Sequence, residues 1–201
     1  MMYVVLVAHD VAPSQGLLKL QRALEAYGHT ATSYFGFGKT IATPTHAISE
    51  NIRNASVLVV GMSSSRVLAT EEMLAARHAL RHAIPFGLYG DTYGSFGRPW
   101  LRQLCSQSDF LFVLNEHEAA LAKKIFGAHP RILVTGNPLW EDFAHPEHSR
   151  TVTRKLLNIE PHRRMILVPG TKEFAINVHL FASVVEAAQR TGKNIEIICS
   201  I

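Results

Sequence analysis

Short apolar runs alternate with longer stretches of helical periodicity along most of the chain. The apolar runs, rich in Val, Leu, Ile and Phe, cover residues 3–8, 31–35, 56–60, 85–89, 109–114, 131–134, 165–168 and 194–199. Apolar positions spaced three or four residues apart mark residues 15–27, 70–82, 99–106, 116–126 and 174–190, with a shorter stretch over 151–157. The pattern predicts strands separated by helices.

This alternation indicates a parallel sheet, because parallel strands need a helical crossover between them. The strand candidates are nearly continuous in their apolar character, which is typical of strands buried on both faces. Local signals agree with the assignment. Thr70 precedes Glu71 and Glu72, a pattern that predicts an N-cap followed by acids in the first helical turn. We therefore predict an α/β fold with a doubly wound, Rossmann-like parallel sheet.

The pattern changes over residues 141–164, which contain His145, Pro146, His148 and Pro161 and show little apolar periodicity. We predict a first domain over 1–144, a linker over 145–164, and the start of a second Rossmann-like unit over 165–201. That start is too short to bury a core alone, so we expect a truncated second unit. Its uncovered strands and apolar helix face predict a homo-oligomer formed through this segment.

Composition excludes several classes of protein. With 47% hydrophobic residues in 201, the chain is expected to fold. The net charge of +4 is too small for a dedicated nucleic-acid binder. Cys105 and Cys199 form no metal-binding or disulfide pattern, which fits a reducing compartment. The apolar run near the start, residues 3–8, is too short for a signal peptide or a span, so we expect a cytoplasmic protein.

One cluster of basic residues stands out in the predicted linker: Arg150, Arg154, Lys155, Arg163 and Arg164. A solvated segment is the simpler interpretation. The alternative is contact with an anionic ligand or with lipid headgroups at a membrane surface.

Three loops follow predicted strands, where doubly wound sheets place ligands. The first contains His9 and Asp10, which suit deprotonation of a sugar hydroxyl; alternatively, Asp10 and Ser14 cap the next helix. The third, residues 90–97, contains Asp91 and three glycines that would let the backbone approach a ligand, or it is an ordinary mobile loop.

The second loop has hydroxyl groups and a guanidinium that could bind an anion: Ser63, Ser64, Ser65 and Arg66. A common serine-rich turn is the alternative. No metal site is predicted. His78 and His82 are one helical turn apart, but Arg77 and Arg81 beside them would repel a cation.

The last third of the chain contains the most specific motifs. Residues 132–139 read Ile-Leu-Val-Thr-Gly-Asn-Pro-Leu, and residues 165–177 read Met-Ile-Leu-Val-Pro-Gly-Thr-Lys-Glu-Phe-Ala-Ile-Asn. Together they resemble the interdomain junction of GT-B glycosyltransferases, which have two Rossmann-like domains. The resemblance is greatest to the group around the lipid II-forming N-acetylglucosaminyltransferase. Lipid A disaccharide synthases and hydrolysing UDP-GlcNAc 2-epimerases share this architecture.

The resemblance implies transfer of a sugar from a nucleotide diphosphate sugar to a hydroxyl acceptor, with no cofactor and no required metal. It implies that His9 or Asp10 acts as the base. Gly170, Thr171 and Lys172 would begin the diphosphate site at a helix start, where N–H groups favour anions. Pro169 and Glu173 depart from the glycines of the family's loop.

Two alternatives to the transferase remain. One is a nucleotide-sugar epimerase, which would need carboxylates and a histidine in the interdomain cleft. The other is a non-enzymatic, flavodoxin-like binding domain. In either enzyme, much of the nucleotide pocket would lie beyond residue 201, so we expect the isolated chain to be inactive.

Overall fold

A computed structural model describes residues 1–43, 45–170 and 174–200 of the chain. They form two compact units, Met1–Ala144 and the residues from His145 onward. The strands are β1 Tyr3–Ala8, β2 Thr30–Phe35, β3 Val57–Gly61, β4 Phe86–Tyr89, β5 Phe110–Val113, β6 Arg131–Val134, β7 Arg164–Pro169 and β8 Ile195–Ser200. The helices are α1 Val11–Ala26, α2 Thr45–Arg53, α3 Thr70–Arg81, α4 Arg102–Gln107, α5 Glu116–Phe126, α6 Glu141–Ala144, α7 Arg150–Leu156 and α8 Phe174–Arg190, and Ser95–Gly97 and Pro138–Trp140 are 3-10 turns.

The first unit contains a six-stranded sheet in the order β2-β1-β3-β4-β5-β6. Every pairing in it is parallel, and Val4 of β1 pairs with Ala31 on one side and Val57 on the other. The strand order therefore reverses between β1 and β3. The predicted α/β, Rossmann-like parallel sheet is confirmed. In the second unit, β7 and β8 form a two-stranded parallel sheet.

The strands of the first unit are apolar because both faces of the sheet are covered. Val5 and Val7 face a core that includes Ile52 of α2 and Ala76 of α3. Val4, Leu6 and Ala8 face a second, smaller core that includes Leu17 of α1. These β1 side chains are at most 2% exposed, and this double burial accounts for the continuous apolar runs in the sequence.

Most predicted elements are present, and β1, β6, α5 and α8 have the predicted bounds. Helix α2 was not predicted, because only Ile48 and Ile52 are buried in an otherwise polar segment. Helix α1 begins at Val11, four residues earlier than predicted. Pro13 in the first turn made this start look like a loop, yet proline is tolerated there because its missing N–H would have no intrahelical partner.

No helix among residues 1–43, 45–170 and 174–200 has both the length and the hydropathy to cross a membrane.

Candidate functional site

The loops after β1 and β3 meet at the carboxyl edge of the sheet, where the strand order reverses. His9 follows β1 and Ser63 lies two residues beyond β3; these two strands are neighbours, with Val7 paired to Val60. A reversal of strand order opens a crevice between loops that turn to opposite faces of the sheet, and ligands of open α/β sheets bind there. We call this region, with the loop after β4, the carboxyl-edge site.

Glu72 of α3 connects the first two loops. Its Oε1 accepts hydrogen bonds from the His9 N–H (3.0 Å) and the Ser63 hydroxyl (2.8 Å). Its Oε2 accepts one from the Ser63 N–H at 2.9 Å. The side chain is fully buried, and burial raises the pKa of Glu72 although these hydrogen bonds oppose the shift. The prediction that Glu72 lies in the first turn of the helix is confirmed, and its buried carboxylate also joins the two loops.

The predicted cap at Thr70 is wrong. Ala69 occupies the N-cap position of α3, and the Thr70 hydroxyl donates to the Val67 carbonyl at 2.8 Å. The two acids that follow Thr70 contact the loops of the site, Glu72 through the hydrogen bonds above and Glu71 through His9.

The imidazole of His9 lies beside a second carboxylate of α3. Its Nδ1 is 3.1 Å from Oε2 of Glu71, and the residue is 8% exposed. A carboxylate at Nδ1 favours the tautomer with the proton on that nitrogen, which leaves Nε2 as the proton acceptor. In this tautomer, Nε2 of His9 has the lone pair that a general base needs.

Asp10 belongs to the same network through the serine loop. Its Oδ2 accepts from the Ser64 hydroxyl (2.6 Å) and the Ser64 N–H (3.1 Å), and its own N–H donates to the Ser63 hydroxyl at 3.0 Å. Asp10 occupies the N-cap position of α1 but makes no side-chain cap, and the Ser14 hydroxyl donates to the Ala8 carbonyl at 3.1 Å. The capping alternative is therefore wrong for both side chains.

These contacts correct the interpretation of Ser63 and Ser64 as residues that bind an external anion. The N–H and hydroxyl groups of Ser63 and Ser64 donate to Glu72 and Asp10, so carboxylates of the protein already occupy them. Ser65 accepts from the Leu68 N–H at 3.3 Å, and Arg66 is exposed. An anion-binding role for Ser65 and Arg66 stays a prediction.

Asp91, after β4, is the third acidic group of the site. It is 5% exposed, and no described residue donates a hydrogen bond to its Oδ1. Burial raises the pKa of Asp91; the Arg98 charge opposes this shift and the nearby Asp10 charge adds to it. Asp91 therefore has a buried oxygen that lacks a donor among the described residues, and it has an increased affinity for a proton.

The loop that carries Asp91 is held in place from several directions. Arg98 donates to the Met62 carbonyl and to the Thr92 hydroxyl, the latter at 3.0 Å. Glu118 of α5 is buried and accepts from the Gly94 N–H and from the Leu114 N–H at 3.3 Å. These contacts fix the loop to β3 and α5.

The Gly-Asn-Pro motif, residues 136–138, follows β6 and contacts the same loop. Asn137 Nδ2 donates to the Asp91 carbonyl at 3.0 Å, and its Oδ1 accepts from the Tyr89 hydroxyl (3.1 Å) and the Leu139 N–H (2.9 Å). All of these groups are buried except the Leu139 N–H, which is only partly covered. Asn137 therefore positions Asp91. An amide suits this position because the side chain both donates and accepts hydrogen bonds there.

Of the predicted diphosphate site, only Gly170 lies within the described residues. It is exposed and follows β7 directly. Thr171 and Lys172 lie outside the described residues, and their role stays a prediction. Within the part of the chain that the structure describes, no group of three or more His, Cys, Asp or Glu side chains is arranged to hold a metal ion.

Close packing behind the site gives a stability prediction at Gly61, the last residue of β3. A Cβ at this position would lie 2.8 Å from Pro13 Cβ, 2.9 Å from Glu72 Oε1 and 3.0 Å from Ala8 Cβ. We expect Gly61→Ala to lower the free energy of unfolding by about 1–3 kcal/mol, measured by urea denaturation. Gly97→Ala is the control, since a Cβ there meets nothing within 4 Å. Equal stabilities of the two variants would contradict the tight packing.

The parallel sheet, with a ligand edge where its strand order reverses, defines a Rossmann-like α/β fold. No family model matches the sequence. No curated protein matches it. Among solved structures, the chain is similar to a Listeria monocytogenes protein assigned as a UDP-N-acetylglucosamine 2-epimerase, with a TM-score of 0.63 and 14% identity. The match covers 100% of this chain and 62% of that one, so the chain spans about three-fifths of its neighbour's length. The two share a fold.

Proposed function

We propose that this chain is part of an enzyme that acts on a nucleotide sugar, and that its carboxyl-edge site supplies the groups that exchange protons with the sugar. One observation carries the proposal: His9, Asp10 and Asp91 lie together where the strand order reverses, and Asp91 has a buried oxygen without a partner among the described residues. Likeness in fold to an assigned nucleotide-sugar epimerase supports the choice of substrate class.

Epimerisation is the reaction that the site supports best. To invert the sugar carbon next to the one that bears the diphosphate, one group takes the C–H proton while the bond to the diphosphate breaks and the diphosphate accepts the electron pair. Another group gives a proton to the opposite face of that carbon when the diphosphate or water adds back, so the two groups need different proton affinities. In our proposal His9, oriented by Glu71, is the base. Asp91, whose pKa is raised by burial, holds the proton that is donated. Asp10 accepts a hydrogen bond from the Ser64 hydroxyl, and the Asp10 charge contributes to the raised pKa of Asp91.

Glycosyl transfer is the second candidate, favoured by the resemblance of the Gly136-Asn137-Pro138 motif to the junction of the transferases. It requires only one base, His9 or Asp10, acting on an acceptor hydroxyl. In that reaction Asp91 would accept a hydrogen bond from a hydroxyl of the sugar or the acceptor. In both candidates, Gly170, Thr171 and Lys172 would contact the diphosphate.

The two reactions differ in how they exchange hydrogen with solvent. The natural protein that carries this sequence would be incubated with UDP-N-acetylglucosamine in D2O and the sugar followed by NMR. An epimerase that removes a proton from carbon returns deuterium to that carbon. A transferase releases UDP only when an acceptor is present and leaves the carbon–hydrogen bonds intact.

We expect deuterium in the product sugar. Acceptor-dependent release of UDP without deuterium would select the transferase. If nucleotide sugars with uracil or guanine bases neither bind nor react, the proposal is wrong.

A further inference from the structure

The second unit contains a basic pocket whose lining residues are all different from those of the carboxyl-edge site. The pocket consists of two adjoining cavities of about 480 and 550 Å³ that share Arg150, Arg154 and Pro161 as walls. They lie around helix α7 and the turn that leads to β7. Their other charged and titratable lining residues are Lys155 and Glu160 in the first, and His148, His162, Arg163 and Arg164 in the second.

Arg154 is the buried wall of this pocket. It is 8% exposed, and its Nη2 donates to the Glu160 carbonyl at 3.2 Å and to the Arg163 carbonyl. No described residue accepts a hydrogen bond from its Nε. A buried N–H of a charged group without an acceptor is costly, so the guanidinium is expected to gain from an anion at the pocket wall. This burial also differs from the solvated segment that the sequence predicted.

The pocket has more positive than negative charge. Glu196 binds Arg163 at 2.6 Å, and Glu160 lies 3.2 Å from His162 and 3.7 Å from Arg163. Among the described residues, Arg150, Lys155 and Arg164 form no ion pair, and all three are exposed. Three cations without an ion pair among the described residues thus line the cavities that Arg154 also lines.

We propose that the basic pocket binds a phosphate group. Guanidinium groups present paired N–H donors that match the oxygens of phosphate, and lysine adds a point charge. A phosphomonoester has about −1.5 to −2 charge at neutral pH and would offset part of the charge of the three cations. Cavities of about 480 and 550 Å³ are large enough for the group that bears it. The phosphate belongs either to a small soluble molecule or to a lipid headgroup.

Two binding experiments on the 201-residue chain test the proposal. Calorimetry measures binding of inorganic phosphate. Sedimentation measures binding to phosphatidylcholine vesicles that contain or lack phosphatidic acid. Arg150→Gln and Arg164→Gln are the diagnostic variants because both side chains are exposed. Removing a cation from the first position of α7 does not weaken the helix, since cations are unfavourable there. Lys193→Gln, an exposed change of the same charge outside the pocket, is the control.

We expect each diagnostic variant to bind at least about tenfold more weakly, and we expect the control to bind like the wild type. Binding of the wild type should weaken with added salt. Binding only to vesicles with phosphatidic acid would identify a lipid as the source of the phosphate. The proposal is overturned if neither probe binds, or if Lys193→Gln weakens binding as much as Arg150→Gln. Asp91→Asn should leave phosphate binding unchanged, which separates this site from the proposed function.

Discussion

Asp91→Asn is expected to lower turnover of the nucleotide sugar by about 10²–10⁴-fold, the usual range for loss of a general acid or base. Asparagine has nearly the same size but cannot donate the proton that the buried carboxyl group holds. The backbone contact from Asn137 Nδ2 goes to the carbonyl of Asp91, so the substitution leaves it in place. The measurement is kcat of the natural protein that carries this sequence.

The matched control for this variant is Asp142→Asn. Asp142 is largely exposed and forms a surface ion pair with Lys19 at 2.7 Å, so its loss should not affect turnover. If Asp91→Asn and Asp142→Asn show the same near-normal kcat, Asp91 takes no part in the reaction. A folded Asp91→Asn variant, shown by an unchanged urea midpoint, is required for the comparison.

Glu72→Ala is expected to lower the free energy of unfolding by about 3–5 kcal/mol. The change leaves two backbone N–H groups and one buried hydroxyl without their acceptor, and each such loss costs about 1–3 kcal/mol before the loops relax. Urea denaturation gives the value. Glu25→Ala, an exposed helical glutamate, is the control and should change stability by no more than about 0.5 kcal/mol. A Glu72→Ala variant as stable as this control would contradict the role of Glu72 in joining the loops.

Glu72 also predicts how stability depends on pH. Its pKa in the folded protein is raised above the ordinary 4.5, so the folded state holds this proton more tightly than the unfolded state. The corresponding stabilisation is present below pH 4.5 and is lost as the pH rises through the folded-state pKa. Glu72→Gln does not titrate, so the wild type should lose more unfolding free energy than this variant between pH 4.5 and neutrality. If the unfolding free energies of the wild type and Glu72→Gln change with pH by the same amount, the pKa of Glu72 is not raised.

The sheet could be predicted from the sequence because its strands are buried on both faces. Runs such as Val4–Leu6 have no polar position, and the helices between them have clear periodicity or a glycine at the end, as at Gly127. Helix α2 could not be predicted, because its two buried isoleucines give too weak a period. The order of the strands also could not be predicted from the sequence, because it depends on which face of the sheet each connection between strands crosses.

Only part of the site could be predicted from the sequence, because some of its residues follow strands and others lie in or near helices. His9, Asp10 and Asp91 follow strands, and their position alone indicated a ligand-binding edge. Glu72, Arg98 and Glu118 have no such signal. Each is a charged residue in or near a helix, where exposure is the usual outcome, and only the tertiary structure shows that their side chains hold the loops. The acids at 71 and 72 gave a hint, because their position allowed contact with the loop before α3.

Hydrogen–deuterium exchange with and without UDP-N-acetylglucosamine shows whether a nucleotide sugar binds at the carboxyl-edge site. We expect the nucleotide sugar to slow exchange in the three loops of the carboxyl-edge site, residues 9–10, 62–66 and 90–98, and we expect Asp91→Asn to reduce this protection. Amides at the opposite, amino edge of the sheet should exchange as before. Binding that leaves the three loops unprotected, or that protects them equally in Asp91→Asn, would contradict the proposed site.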